Sequence, residues 1–447
     1  MTLSLFDLTQ SLLDEARKAG ADSADAMAVA GRSLSISTRA GALEQAERSE
    51  TVEIGLRVFV GNRQACVSAS DVSGRTRAQL AERAVAMARE APEDRFAGLA
   101  DPSQLTAGFD VAALDLVDIS ADPLAADLQE DARRAEAAAM AHPGIVQCES
   151  GAGWGRQDIH LSASNGFDGG YARSSRSTSL VAFTGSGTAM ERDWAGESRI
   201  YSADMPTPEE IGDKAAIRTL ARPGATKPPT GIYPVLLDER VAASLIGHLL
   251  SAVNGEAIAR GASWARGLLG LQVLPKGFSL IEDPHRTRIS SSRPFDAEGL
   301  PTARRLIVDD GMLTGWTLDL ATGRRLGMAS TGNAARGTGS PPSPSTTNID
   351  LTLGRDTPAA LIAGMGTGLL VTSMIGSTIN ATTGDYSRGA SGFWVENGEI
   401  RHPVNECTIA GNLRDMLIRM IPANDIRAHL STRVPSILIE GMTLAGK

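Results

Sequence analysis

The side chains best suited to binding a metal or attacking a carbonyl are few in this chain and lie far apart. The chain has six histidines among 447 residues. Four of them are candidate ligands for a site assembled from scattered positions: His160, His285, His402 and His429. No two of these have the short spacing that is typical of metal ligands on one helix or turn. The histidines alone therefore do not predict a metal site.

The cysteines give no clearer signal. Cys66, Cys148 and Cys407 are odd in number and widely separated, so local spacing builds neither a disulfide framework nor a CxxC metal knuckle. Cys66 ends a predicted strand and Cys148 lies inside another, which favours packed thiols over nucleophiles. Free thiols in this pattern indicate a reducing, cytoplasmic setting.

Other catalytic templates are missing as well. No GxSxG elbow marks a nucleophilic serine, and no Walker lysine motif is present. The glycines at 155 and in the run at 364–368 lack the strand, GxGxxG and helix order of a dinucleotide site. A Ser/His/Asp triad outside any known motif stays open as an alternative.

Three polar motifs lie in predicted loops or strand ends of the second half of the chain. They are Arg293-Pro294-Phe295-Asp296, Ser330-Thr331-Gly332-Asn333 and Asp385-Tyr386-Ser387-Arg388. One interpretation is turn chemistry, in which Asp and Asn bind nearby backbone and Arg binds carboxylates. The other is a surface that completes a cleft or binds a partner. Its candidate residues are Arg293, Asp296, Asn333, Asp385, Tyr386 and Arg388.

The third motif opens the most specific stretch of the chain, GDYSRGASGFWVENGEI followed by TIAGNL, between Gly384 and Leu413. Phe393 and Val395 alternate with polar residues, and Asn397-Gly398 supplies the positive φ angles of a two-residue hairpin turn. The same string resembles the TldD/PmbA family of bacterial and archaeal zinc metallopeptidases, and more closely its PmbA (TldE) branch.

In the active TldD branch, zinc ligands come from an HExxxH helix and a cysteine near the C-terminus. The resemblance places the corresponding helix here in ASLIGHLLSAVNGEAIARGAS. Ile246, Gly247 and Ser251 then stand in place of the histidine, the glutamate and the second histidine. His248 is interpreted as a surface or interface histidine, and no cysteine lies near 434–436. The resemblance thus implies no metal or catalytic residue in this chain, and zinc in a TldD-like partner.

Composition excludes several function classes. The net charge is −9, so no excess of cations is available for a phosphate backbone, and nucleic-acid binding is not expected. The N-terminal segment repeats Leu5, Leu8, Leu12 and Ala16 at helical spacing, which predicts an amphipathic helix over 5–19 rather than a signal peptide. Apolar runs are shorter than the roughly 20 residues of a membrane span, so none is predicted.

The elements that must position these residues indicate two domains. A helix and several strands are followed by a second helix and strands, with an echo between SISTRAG at 35–41 and HLSASNG at 160–166. Further helices are predicted near 75–91, 123–141, 208–221, 239–254 and 411–421. A segment rich in Pro and Gly after 222 predicts domains 1–222 and 232–447. The segment 327–347 has no periodicity and is predicted to be a long surface loop.

The predicted fold class is α+β. The N-terminal domain is predicted to contain helix-plus-sheet units with a possible internal duplication, and the resemblance implies a C-terminal domain dominated by a large curved antiparallel sheet. It also implies a cytoplasmic, non-catalytic subunit of a heterodimeric TldD/TldE-type peptidase that acts on small or unfolded peptides. The alternative is a stand-alone homodimer that binds peptides or regulates, of the DNA gyrase modulator type.

Overall fold

The computed structural model describes residues 3–447, apart from the side chain of Ser377. The α-helices in this range are α1 (Leu5–Ala19), α2 (Gly74–Glu90), α3 (Val111–Leu114), α4 (Ala125–Met140), α5 (Pro208–Leu220), α6 (Glu239–Ala252), α7 (Gly255–Ala259), α8 (Leu320–Leu326), α9 (Pro358–Met365) and α10 (Leu413–Ile418).

Strands in the N-terminal part are β1 (Ser23–Arg39), β2 (Ala42–Val60), β3 (Arg63–Ala69), β4 (Ile145–Ala163), β5 (Asp168–Thr184) and β6 (Glu191–Arg199). The later strands are β7 (Gly231–Leu237), β8 (Leu280–Glu282), β9 (Arg305–Asp309), β10 (Met312–Leu313), β11 (Ala334–Ala335), β12 (Ser343–Pro344), β13 (Ile349–Leu351), β14 (Gly368–Ile379), β15 (Asp385–Glu396), β16 (Glu399–Asn412), β17 (Met420–Pro422), β18 (Thr432–Arg433) and β19 (Ile437–Ala445).

The first helix is α1, and it has the predicted bounds because both of its ends are capped. Ser4 and Asp7 form a reciprocal capping box, and Gly20 takes the left-handed conformation that ends the helix. Leu8, Leu12 and Ala16 are buried on one face. This face packs on the first sheet, which buries the apolar side of the amphipathic helix.

That sheet contains the same unit twice. Its strand order is β3-β2-β1-β4-β5-β6, and each half is a helix, three antiparallel strands and a helix, α1 to α2 and α4 to α5. The halves meet where β1 pairs with β4. Both echoed sequences, 35–41 and 160–166, lie at the end of the first long strand of their unit and run into its hairpin turn.

The C-terminal part is built around a curled sheet of order β16-β15-β14-β7-β19-β17. A further pairing joins β16, at one end of this order, to β19, the strand next to the other end, so the sheet closes on itself. One pair, β7 with β14, is parallel. The enclosed core includes α6, and this sheet confirms the α+β fold class and its curved C-terminal sheet.

Two elements differ from their predicted bounds. Helix α10 covers only part of 411–421, because Met420–Pro422 pairs with β19 as strand β17. The segment 327–347 is only partly a surface loop, since it carries the short β11–β12 pair and buries Asn333, Ala334 and Thr347. Its polar backbone finds partners in the protein rather than in water.

The predicted division into 1–222 and 232–447 falls between α5 and β7 and stays a prediction. Within the described part of the chain, no helix is long and apolar enough to cross a membrane.

Candidate functional site

The positions of the resembled metal helix lie on α6. The helix begins after Asp238, whose carboxylate accepts a hydrogen bond from the Arg240 amide, and it packs inside the curled sheet. Ile246 is fully buried in that core. Its side chain belongs to the large apolar cluster of the C-terminal part, so position 246 serves packing.

The other two positions offer no ligand either. A Cβ built on Gly247 would meet nothing within 4 Å, so space is open there but no side chain fills it. Ser251 donates its hydroxyl to the Gly247 carbonyl oxygen at 2.9 Å, an ordinary helical back-bond. Over residues 3–447, no three His, Cys, Asp or Glu side chains are grouped as metal ligands. The residues present on α6 do not fit a zinc ion.

His248 directly follows Gly247 on α6 and lies beside Tyr386 of β15. The two rings are 5.9 Å apart at their centroids in an edge-on arrangement. Burial, with a smaller contribution from the charge of Arg388, lowers the pKa of His248, and its Nε2 is buried without a hydrogen-bond partner. The histidine is therefore half-buried and neutral near pH 7, and its predicted place at the surface or at an interface stays a prediction.

Tyr386 and Arg388 of β15 lie near this histidine, and their hydrogen bonds are made within the sheet. Burial raises the pKa of Tyr386, whose hydroxyl donates to the Met374 sulfur at 3.3 Å. Arg388 donates from Nε to the Gly376 carbonyl oxygen at 2.8 Å. Asp385 is exposed and accepts bonds from Thr383 and Asn412. These contacts hold the β14–β15 hairpin, although Arg388 binds a backbone carbonyl oxygen and Asp385 binds side chains, unlike the pattern of the turn-chemistry interpretation.

Arg293, Asp296 and Asn333 form a second group, and no hydrogen bond or ion pair in the described structure joins it to the first. Arg293 donates to the Ala334 and Ser345 carbonyl oxygens at 2.9 and 2.7 Å. Asn333 donates to the Ser345 oxygen at 3.1 Å. Asp296 accepts from the Ala334 amide at 3.1 Å. Arg293 and Asp296 thus bind the segment that carries Asn333, β11 and β12, and this segment lies on the first sheet.

A buried ionic cluster fastens that segment to the sheet, and the sequence analysis missed it. Asp25 of β1 accepts bonds from Arg57 of β2, at 2.7 Å to Nε, and from Arg336 of the segment. The side chains of Asp25 and Arg336 are 3% and 1% exposed. Burial alone would raise the pKa of Asp25, but the charges of Arg336 and Arg57 lower it. A signal was available, since Asp25 and Arg57 each interrupt an apolar strand, and the structure pairs the two directly across β1 and β2.

Two carboxyl groups next to this cluster have raised pKa values. Burial raises the pKa of Asp296 to about 6 and, together with the charge of Asp296, that of Glu298 to about 8. Asp296 accepts three backbone N–H groups, whereas Glu298 accepts one, from Leu320. Hydrogen bonds to a carboxylate favour its ionised form, so we assign the charge to Asp296 and the proton to Glu298.

Glu298→Gln is expected to raise the free energy of unfolding above that of wild type, and to do so more at pH 8 than at pH 5. The pKa of Glu298 rises from the ordinary 4.5 to about 8 on folding, so wild type loses stability as the pH rises through this window, and glutamine removes the loss. One pKa unit corresponds to about 1.4 kcal/mol, so the gain is on the order of a few kcal/mol. Urea midpoints at several pH values measure it, with the exposed Glu130→Gln as control. A parallel pH profile for both variants would contradict the assignment.

The remaining candidates lie apart from one another. His160 contacts Thr9, His285 contacts Thr302, and His429 contacts Glu197. Burial raises the pKa of Cys148 to about 12 and that of Cys407 to about 11, so neither thiol is activated. The pKa of Cys66 is raised by the same cause.

Comparison with known proteins finds relatives over most of the chain. Three family models match: PmbA/TldA metallopeptidase domain 1 at residues 24–88, the central domain at 118–222 and the C-terminal domain at 230–446. The chain is 36% identical to Metalloprotease PmbA of Escherichia coli O157:H7 over 93% of its length and 90% of that protein. It is also 36% identical to the PmbA homolog of Haemophilus influenzae, over 96% and 94%.

Solved structures share the whole fold. A Bacteroides thetaiotaomicron protein, proposed as a modulator of DNA gyrase, superposes with a TM-score of 0.90 at 27% identity, covering 98% of each chain. TldE from Thermococcus kodakarensis superposes with a TM-score of 0.83 over 98% of this chain and 99% of its own. At 18% identity the second likeness concerns the fold alone.

Proposed function

This chain belongs to the PmbA/TldD family of metallopeptidases, and from that membership we propose that it is the non-catalytic subunit of a heterodimeric zinc peptidase. The resemblance between Gly384 and Leu413 is thereby confirmed. One observation carries the proposal: the α6 positions that would hold zinc carry Ile246 in the core, Gly247 without a side chain, and Ser251 bonded to its own helix. Metal-assisted hydrolysis needs several ligands and an open position for water.

In this proposal, zinc is bound by a TldD-like partner with an HExxxH helix, and the substrates are small or unfolded peptides in the cytoplasm. The chain would shape the cleft and hold the partner in an active arrangement. The superposition with a protein called TldE is compatible with this role.

The test is peptidase activity on an unstructured peptide, with this chain alone and mixed with the HExxxH-bearing chain of the same genome. We expect activity in the mixture that a chelator abolishes, and none from this chain alone. A partner whose motif glutamate is changed to glutamine is the control, and its mixture is expected to be inactive. Stoichiometric zinc and chelator-sensitive hydrolysis in this chain alone would refute the proposal.

A homodimer that binds peptides or regulates is the second candidate. It is favoured by the 27% identical relative that is described as a proposed modulator of DNA gyrase. Measuring the mass of the complex recovered from the native cells separates the two: an HExxxH chain in equal amount supports the heterodimer, and a complex of this chain only supports the homodimer. Hydrolysis that survives metal removal and stops on changing one serine or cysteine would instead indicate an unrecognised triad.

A further inference from the structure

A cleft of about 350 Å³ lies between the first sheet and the segments 293–297 and 335–338. On β1, Ala24, Ala26 and Ala28 are buried in the core shared with the helices. Strand alternation puts Met27 and Val29 on the opposite face, where they line the cleft. The cleft is thus a space between the helix-free face of the sheet and the C-terminal part of the chain.

Three arginines line this cleft: Arg173 of β5, Arg293 and Arg336. Arg173 and Arg293 donate their Nη groups to neutral oxygens, and neither is in an ion pair within the described structure. The Nε of each arginine, and also Nη2 of Arg336, is buried without a hydrogen-bond partner. The side chain of Arg336 is 1% exposed. Among the described residues, no bonded carboxylate compensates the charge of Arg173 or Arg293, and an anionic ligand in the cleft would do so.

The carboxylates near the cleft do not use these donors. Both oxygens of Asp296 accept backbone amides. Asp25 binds Arg57 and one nitrogen of Arg336, so two nitrogens of Arg336 stay free. Glu53, which also lines the cleft, is exposed. The cleft therefore has guanidinium groups that no carboxylate of the described residues binds, which favours an anionic ligand.

The rest of the lining is apolar. Ile159, Leu161 and Phe295 join Met27 and Val29. Small-molecule sites usually combine such a lining with a few well-placed polar groups, in volumes from about 300 Å³ upward. We propose that this cleft binds a carboxylate attached to an apolar group, the carboxylate on the arginines and the apolar group against the sheet. Arg–carboxylate pairs are among the strongest charge-assisted hydrogen bonds.

Two sources carry this chemistry: the C-terminal residue of a peptide and a small free organic acid. The first rests on the proposed peptidase role, and the second does not. Isothermal titration of the purified chain separates them with three probes: acetyl-Ala-Leu, its C-terminal amide, and 4-methylpentanoate. Binding of the acid forms with at least about tenfold weaker binding of the amide is expected, since a hydrogen bond to a charged group is worth about 1.5–3 kcal/mol. Binding of acetyl-Ala-Leu alone would identify a peptide terminus, and equal binding of 4-methylpentanoate a free acid.

Variants locate the site. Arg173→Met is expected to weaken acid binding at least about tenfold for the same reason, and Glu53→Gln to tighten it about two- to fivefold by removing an exposed like charge. Arg156→Met is the matched control, because Arg156 precedes the cleft residue Gln157 on β4 and lies on the opposite face. Arg336 is not used, since it also binds Asp25.

Equal affinity for acid and amide, an unchanged affinity in Arg173→Met, or no binding up to about 1 mM probe would each overturn the cleft proposal. These measurements use this chain alone. Failure of the peptidase mixture therefore leaves them unaffected, and failure of acid binding does not bear on the partner subunit.

Discussion

Asp25→Ala is expected to lower the free energy of unfolding by about 3–5 kcal/mol, because it leaves buried charges without a partner. Arg57 and Arg336 both donate to this carboxylate. Each of the three side chains is at most 5% exposed, so water does not replace the lost acceptor. The repulsion between two uncompensated guanidinium groups would add to the loss of hydrogen bonds.

The loss is expected to appear where the C-terminal segment meets the sheet. The contact is close: a Cβ on Gly55 of β2 would lie 2.0 Å from the Thr338 carbonyl oxygen. Urea unfolding followed by tryptophan fluorescence measures the change, and proteolysis near Arg336 reports release of the segment. Glu50→Ala on the exposed Arg48–Glu50 pair of the same β2 is the control, and it should change little.

A double-variant cycle sharpens the test. If the penalty comes from uncompensated cations, Asp25→Ala should cost much less in an Arg57→Met, Arg336→Met background than in wild type. Equal costs in both backgrounds would mean that Asp25 contributes by packing rather than by charge compensation.

The buried ionic cluster around Asp25 could not be predicted from local sequence patterns. Helix ends and tight turns depend on neighbouring residues, and here they follow the sequence: Pro208 begins α5 after the Thr207–Glu210 capping box, and Asn397-Gly398 has positive φ at both residues. Asp25 and Arg336 are 311 positions apart. Their pairing depends on how the C-terminal segment lies on the sheet, and no local pattern encodes that.

The same limit applies to the candidate site. Six polar residues in loops or strand ends were predictable as a set, but not their separation into two groups. Arg293, Asp296 and Asn333 meet at Ala334 and Ser345. Tyr386 adjoins His248 only because β14 and β15 pair beside α6, which is a consequence of how the sheet closes. Of the three arginines that line the cleft, only Arg293 belongs to one of the predicted motifs. Arg173 and Arg336 belong to none, so the sequence did not indicate that the three lie together.

Ile246→Ala is expected to cost about 2–5 kcal/mol, and Gly247→Ala to gain about 0.5–1 kcal/mol. Ile246 is fully buried in the C-terminal core, so truncation removes apolar contacts and leaves a cavity. Gly247 lies within α6, and its added methyl would meet nothing within 4 Å. Alanine there removes the backbone entropy cost of glycine in a helix. Urea midpoints of the two single variants measure both signs.

Opposite stability changes at these two adjacent positions would bear on whether α6 can hold a zinc ion. A zinc site at this point of α6 needs an imidazole at position 246, where the side chain is now fully buried in the apolar core. Ile246→His would bury a polar ring without a partner and should destabilise the protein at least as much as alanine does. The variant Ile246→His, Gly247→Glu, Ser251→His should therefore lose stability without acquiring stoichiometric zinc. If it folds and binds zinc instead, position 246 faces a cleft, and the proposed non-catalytic role is refuted.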